Sequence, residues 1–157
     1  MPTDLPDNVF RANVGAIIIN KEGLVLAFER KDIKGAWQLP QGGLKIGEEP
    51  VDAVFREIEE ETSIHRSMIE LVSEYPEWLT YELDKSMRTK KHGRGQAQKW
   101  FLFLYKGSNA DIDVSNAKER EFSDWKWMKM DDLIESAPKF RKNIYMKLRR
   151  EFSDMIK

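Results

Sequence analysis

Between residues 42 and 64 the chain reads GGLKIGEEPVDAVFREIEEETSI, and this stretch restricts what the molecule can fold into more than any other. Gly42, Gly43 and Gly47 mark a loop, and Pro50, whose φ is preset for a first helical turn, opens a helix from about Pro50 to about Thr62. At ~100° per residue, Val51, Val54, Phe55 and Ile58 share one apolar face, while Glu57, Glu60 and Glu61 share a neighbouring one because they sit at i, i+3 and i+4. The pattern predicts that core and carboxylates do not compete for space.

Three like charges this close repel by roughly a few tenths of a kcal/mol per exposed pair, and by more once desolvated. A cationic partner is therefore expected. Arg56 and nearby lysines supply part of it, but an oxygen-rich cluster suits Mg²⁺ or Mn²⁺, which keep several waters and bridge to substrate phosphates. An arbitrary acidic run more often faces water. Here the spacing argues otherwise.

Gly42, five residues, Glu48, seven residues, and then Arg56-Glu57-Ile58-Glu59-Glu60-Glu61-Thr62-Ser63-Ile64 closely resembles the signature of the Nudix hydrolase family, with every charged position matched. Ser63 departs from it, standing where the family usually has glycine just past the helix. Glycine there permits a left-handed backbone, which costs an ordinary residue roughly 1 to 2 kcal/mol. The departure bears on local geometry and leaves the proposed ligands intact.

Beyond this segment the chain is similar to the branch of the family comprising RNA pyrophosphohydrolases and dinucleoside polyphosphate hydrolases. The likeness runs through FRANVG at 10–15, WQLPQGG at 37–43, GQAQKWFLF at 95–103, EFSDWKW at 121–127 and KFRKNIYMKLRREF at 139–152. It implies a metal site of Glu57, Glu60, Glu61 and Glu121, with Glu119 close enough in sequence to exchange roles with Glu121. It implies two or more Mg²⁺ ions, or Mn²⁺, in catalysis by Glu57, Glu60, Glu61 and Arg56, with Glu48 held behind them by Arg56. Arg11, Gln41, Gly42, Gln96 and Lys99 are assigned to phosphate and nucleotide, and Phe140 with Arg141 to the first base, although Phe140 also begins an apolar stripe and can equally be core. Trp100, Phe101 and Phe103 read as core.

The implied substrate is 5'-triphosphorylated RNA, converted to a 5'-monophosphate end that opens the message to decay. The alternatives are a diadenosine tetra- or pentaphosphate, and a silent scaffold that binds nucleotide without turning it over.

With 26 Lys and Arg against 27 Asp and Glu, the chain has a net charge of −1, which argues against DNA or bulk nucleic-acid coating. The run KSMRTKKHGRGQAQK is the exception: Lys85, Arg88, Lys90, Lys91, Arg94 and Lys99 occur without one acid, as expected of a loop above the site that neutralises polyphosphate and RNA backbone. Cysteine is absent, which excludes disulfides and thiolate chemistry, and His65 and His92 show no ligand spacing. No export signal or apolar run of membrane-spanning length is visible, so a cytoplasmic protein without membrane partners is expected, as a monomer or homodimer.

A chain of 157 residues has the length of one ordinary domain. NVGAIII at 13–19 and LVLAFER at 24–30 predict a hairpin about Asn20-Lys21-Glu22-Gly23. Further strands are predicted at 37–40, within 69–83, at 97–105 and at 122–130. Phe140, Ile144, Leu148, Phe152 and Ile156 recur every four residues, the mark of an amphipathic C-terminal helix. The order predicts an α/β (α+β) architecture, a mixed β-sheet sandwiched between α-helices.

Overall fold

The apolar run that ends FRANVGAIII forms the far half of the first strand, β1 (Phe10–Ile19), and is buried from Asn13 onward. Such a run needs both faces of its sheet covered. In the computed structural model, which describes residues 9–88 and 93–157, both faces are covered.

The hairpin turn forms as expected: Asn20 Oδ1 accepts from the Glu22 and Leu24 amides at 3.0 Å each, and Gly23 takes a φ of 80°. The hairpin itself does not extend. β2 (Val25–Arg30) is registered with β1 only at Ile19 opposite Val25, then turns away to pair with β3 (Trp37–Gln38) and later with β8 (Phe122–Met128). The edge of β1 that it vacates is taken by β4 (Gln41–Gly43), with Val14 opposite Gly42.

On its other side β1 runs parallel to β7 (Gly95–Tyr105), from Phe10 opposite Gly95 to Ile19 opposite Leu104. The strand-like region 69–83 resolves into two pieces on the outer edge of β7. β5 (Ile69–Glu74) lies opposite its second half and β6 (Leu79–Glu82) opposite its first. Trp78, between them, is 46 % exposed and belongs to no core.

The helix α1 (Pro50–Thr62) covers one face, packing Val54 and Ile58 against Val14, Ile18, Phe101 and Phe103. On the other face lie α2 (Met130–Ser136) and α3 (Lys139–Glu151), whose Leu133, Ile144, Tyr145 and Leu148 meet Ile17, Trp100 and Leu102. Trp100, Phe101 and Phe103 are core residues, as read.

The first strand begins at Phe10, not at 13, the strand expected at 37–40 ends at Gln38, and two boundaries near the C-terminus also need correction. The last strand stops at Met128, not at 130, because Met130 starts α2, a helix too short for a 3.6-residue period to reveal. The stripe of α3 continues past the helix: Phe152 and Ile156 are buried, but they follow the helix end at Glu151 in successive turns.

Candidate metal and phosphate site

Pro50 occupies the first turn of α1, and the helix stops at Ser63, which adopts φ 66°, ψ 3°. The left-handed conformation read from the usual glycine is thus taken by serine here. Its amide donates to Glu59 O at 3.0 Å and its Oγ to Asp113 O at 2.6 Å, bonds that offset the steric cost.

The glutamates of α1 do not share one environment. Glu60 is half-buried, whereas Glu57 and Glu61 are 8 % and 1 % exposed. The expected separation of carboxylates from core therefore fails for these two, because the helix leans over the sheet edge where β4 approaches. A Cβ on Gly42 would lie 2.1 Å from Glu57 Cδ, so only glycine lets strand and carboxylate meet.

Arg56 binds the cluster together. Its Nε and Nη2 donate to the two oxygens of Glu48 at 2.8 and 2.9 Å, Nη2 also donates to Gly43 O at 2.9 Å, and Nη1 donates to Glu57 at 2.9 Å and Glu60 at 3.1 Å. The guanidinium holds the Glu48 carboxyl down at about 2, and these carboxylates in return raise the Arg56 pKa.

One cation does not balance the rest. Burial pushes Glu57 above the ordinary carboxylate range despite Arg56, and burial together with the charges of Glu121 and Glu57 pushes Glu61 well above it. Among the described residues, Glu61 Oε2 is buried with no hydrogen-bond partner.

The segment before β8 closes the cluster. The Glu119 amide donates to Glu60 O at 2.8 Å, which seats this segment against α1. Carboxylate oxygens of Glu57, Glu60 and Glu119 lie within 4.8 Å of one another, as do those of Glu61, Glu119 and Glu121. The ambiguity between Glu119 and Glu121 has a structural resolution: both join the cluster. Acceptor-only oxygens around an unpartnered buried carboxylate fit a hard divalent cation, and the all-oxygen donor set is what Mg²⁺ or Mn²⁺ prefers.

A cavity of about 340 Å³ opens from these carboxylates and is also lined by Arg11, Gln41 and Gly42. A second, of about 560 Å³, shares Gln41 and Glu121 with it and adds Arg30, Gln38, Arg120 and Arg141. Arg30, Gln38 and Arg120 escaped the sequence reading: each is a single polar residue outside any spacing pattern, and only folding brings them together. Arg141 Nη1 donates to Gln38 Oε1 at 2.7 Å. Gln96 joins through Gln98, whose Nε2 lies 3.2 Å from Gln96 Oε1 and 2.9 Å from Gln41 Oε1.

Two assignments diverge. Lys99 alternates to the opposite side of β7 from Gln96 and Gln98, and its Nζ donates to Tyr75 O at 2.8 Å, in the break between β5 and β6, with Glu74 at 3.8 Å. It does not line the glutamate cavity. Phe140 is 38 % exposed and not core; its ring lies 4.9 Å from that of Tyr81, and both line a third cavity with Lys139 and Asn143.

Of the basic run, Arg88 and Arg94 both pair with Glu82. Lys90, Lys91 and His92 lie outside the described residues. His65 Nδ1 accepts from the Ser67 amide at 3.1 Å, capping a short 3-10 turn.

Fold and site together define a class. A NUDIX domain model matches residues 9–148, and the chain belongs to this family, whose hydrolases depend generally on divalent metal. The chain is similar to two bacterial proteins named RNA pyrophosphohydrolase. That of Erythrobacter litoralis is 38 % identical over 158 residues, covering 98 % of this chain and 96 % of the relative. That of Zymomonas mobilis is 42 % identical over 152 residues, covering 94 % and 97 %. Among solved structures, a C. elegans Ap4A hydrolase binary complex shares the fold, with a TM-score of 0.68, 21 % identity, and coverage of 92 % of this chain and 98 % of that one. No helix is long and apolar enough to cross a membrane among the described residues.

Proposed function

We propose that this chain is a metal-dependent RNA 5'-pyrophosphohydrolase that converts 5'-triphosphate RNA ends to 5'-monophosphate and so initiates mRNA decay in the cytoplasm. The observation that carries the reading is the convergence of Glu57, Glu61, Glu119 and Glu121, with Glu60 beside them, at a cavity that Arg11 and Gln41 also line. Two relatives that bear this activity in their names and match nearly the whole chain support it. The chain acts as one domain, a reading supported by a single sheet whose two faces carry the two cores.

Glu57, Glu60, Glu61, Glu119 and Glu121 would hold two or more Mg²⁺ ions, with Mn²⁺ able to use the same oxygens. When bound, such ions neutralise polyphosphate oxygens and lower the pKa of a coordinated water. Glu57, whose proton affinity burial raises, takes the proton as the water attacks. Arg56 fixes the rotamers of Glu57 and Glu60 and is itself fixed by Glu48, so that the carboxylates need not reorganise. Arg11 holds phosphate oxygens, Gln41 and Gln96 contact the first nucleotide, and Phe140 with Tyr81 and Arg141 offers a flat surface for a base. Cleavage between the α and β phosphates breaks one P–O bond and releases pyrophosphate.

The test is a side-by-side assay with Mg²⁺ of 5'-triphosphate RNA, diadenosine tetraphosphate and GTP. Preference for RNA with 5'-monophosphate ends is the expected result. Preference for the dinucleotide would replace the reading with a nucleotide-clearing hydrolase, and inactivity on all three would make the protein a binding scaffold.

A further inference from the structure

The solvent face of α3 is strongly one-sided in charge. Residues 139–151 hold six cations and one acid in a chain whose net charge is −1. Four of the cations, Lys139, Lys142, Lys147 and Arg150, fall at i, i+3, i+8 and i+11, which places them on one stripe with no acid among them. That stripe lies opposite the buried Ile144, Tyr145 and Leu148, with Lys139, Lys147 and Arg150 exposed and Lys142 half-buried.

The remaining cations of the helix are used elsewhere. Arg141 turns inward to Gln38, and Arg149 pairs with Asp131 of α2 at 3.3 Å. Among the described residues, none of the four stripe residues is in an ion pair. The basic run before β7 contrasts with this, since Arg88 and Arg94 there are taken up by Glu82.

The stripe also has a direction. It starts at the cavity shared by Lys139, Phe140 and Tyr81, next to Arg141 and the site, and runs along the sheet toward the far end, where the Lys157 amide donates to Gly23 O. From Lys139 to Arg150 the helix advances ~16 Å. A polyanion whose 5' end is held at the glutamates would leave past Phe140 and meet this stripe next.

We propose that the outward face of α3, through Lys142, Lys147 and Arg150, is the track that binds the phosphodiester backbone of the RNA body downstream of the 5' end. The proposal rests on the RNA reading of the site and names where the rest of that substrate lies. Three separated ammonium and guanidinium groups with no planar partner suit phosphates and carry no base selectivity. Of the two acids that line the cavity at its start, Glu82 is itself paired twice, which leaves Asp84 as one acid against the four cations of the stripe.

The experiment compares 5'-triphosphate RNA of two and of about twelve nucleotides with the same first bases, where a track of this kind acts only on the longer one. In the K142E/K147E/R150E variant, the kcat/KM ratio of long over short RNA should fall roughly ten-fold, through KM, with a smaller fall in the K142Q/K147Q/R150Q variant. A ratio equal to that of the unaltered protein in both variants overturns the track.

Binding of the long 5'-monophosphate RNA, followed by fluorescence anisotropy against salt, separates this proposal from the catalytic reading. The slope of log K on log salt should lose about 2 from the removal of three phosphate contacts. If no RNA is hydrolysed at all, the catalytic reading fails while this slope still decides the track. An unchanged slope overturns it, and a lower slope supports it.

Discussion

Two polar clusters sit on either side of the same sheet end, and they obey opposite rules. On the α1 side, Glu57, Glu60, Glu61, Glu119 and Glu121 converge, Arg56 reaches only Glu57 and Glu60, and among the described residues Glu61 Oε2 is left without a partner. On the α3 side, Asn13, Gln38, Gln41, Gln96, Gln98 and Arg141 bond largely to one another, with Trp100 Nε1 donating to Gln98 Oε1 at 3.1 Å. Gln41 and Gly42, successive in β4, turn one toward each cluster, as strand alternation requires. An amide is donor and acceptor at once, so a cluster of amides can satisfy itself. Carboxylates only accept, so theirs stays incomplete until something cationic arrives. The amide cluster is therefore a support and the carboxylate cluster a site.

The sharpest break is to neutralise the site without changing its shape. Replacing Glu57 or Glu60 by Gln should lower kcat on the order of 10² to 10⁴-fold while the circular dichroism spectrum stays unchanged. Retained activity in Glu60→Gln would show that the carboxylates are not ligands.

The next effect is on the supporting side. Gln98→Leu removes the partner of Asn13 Oδ1 and of Trp100 Nε1, at a cost of about 1–3 kcal/mol for each buried group left unpaired. A fall of about 2–4 °C in Tm per kcal/mol is expected, with the gain in Tm on adding Mg²⁺ preserved. If that gain vanished too, the clusters would not be separable.

Glu61→Gln should act in the opposite sense on the metal-free protein. The folded-state pKa of Glu61 is raised, so its contribution to stability is present while the carboxyl is protonated and is lost as pH rises from the ordinary carboxylate range toward the raised value. At neutral pH the variant should melt a few degrees higher without metal, about 2–4 °C per kcal/mol of relieved burial, and should lose most of the Mg²⁺-induced gain. Thermal melts across pH with and without a chelator measure both.

The smallest effect belongs to Ser63→Gly, distant from either cluster's chemistry. Glycine relieves about 1 kcal/mol of left-handed strain but forfeits the Ser63–Asp113 hydrogen bond of similar size, so Tm should move by no more than about 4 °C. A larger drop would mean that the loop carrying Asp113 helps to hold Glu119 and Glu121 in place.

Much of this was legible in one dimension because it depends on period and spacing. The helix from Pro50 to Thr62, the alternation of β7 and the stripe of Ile144 and Leu148 follow from repeats of 3.6 or 2 residues. α2 lacked the length to show a period, and the split of 69–83 into β5 and β6 depends on which half of β7 each piece meets. Lys99 parts from Gln96 and Gln98, with which it was grouped, because one step along a strand reverses the side.

By itself the sequence determined the helical glutamate cluster, the glycine that must precede it and the backbone reversal that must follow, since these are local demands of sterics and like charge. Only the tertiary structure decided which distant groups complete the cluster. Glu119 joins Glu121 because its amide is pinned to Glu60 O, Glu61 is desolvated by the sheet beneath it, and Arg141 is drawn inward by Gln38. Burial and convergence depend on chain segments far apart in sequence, and no local pattern of residues encodes them.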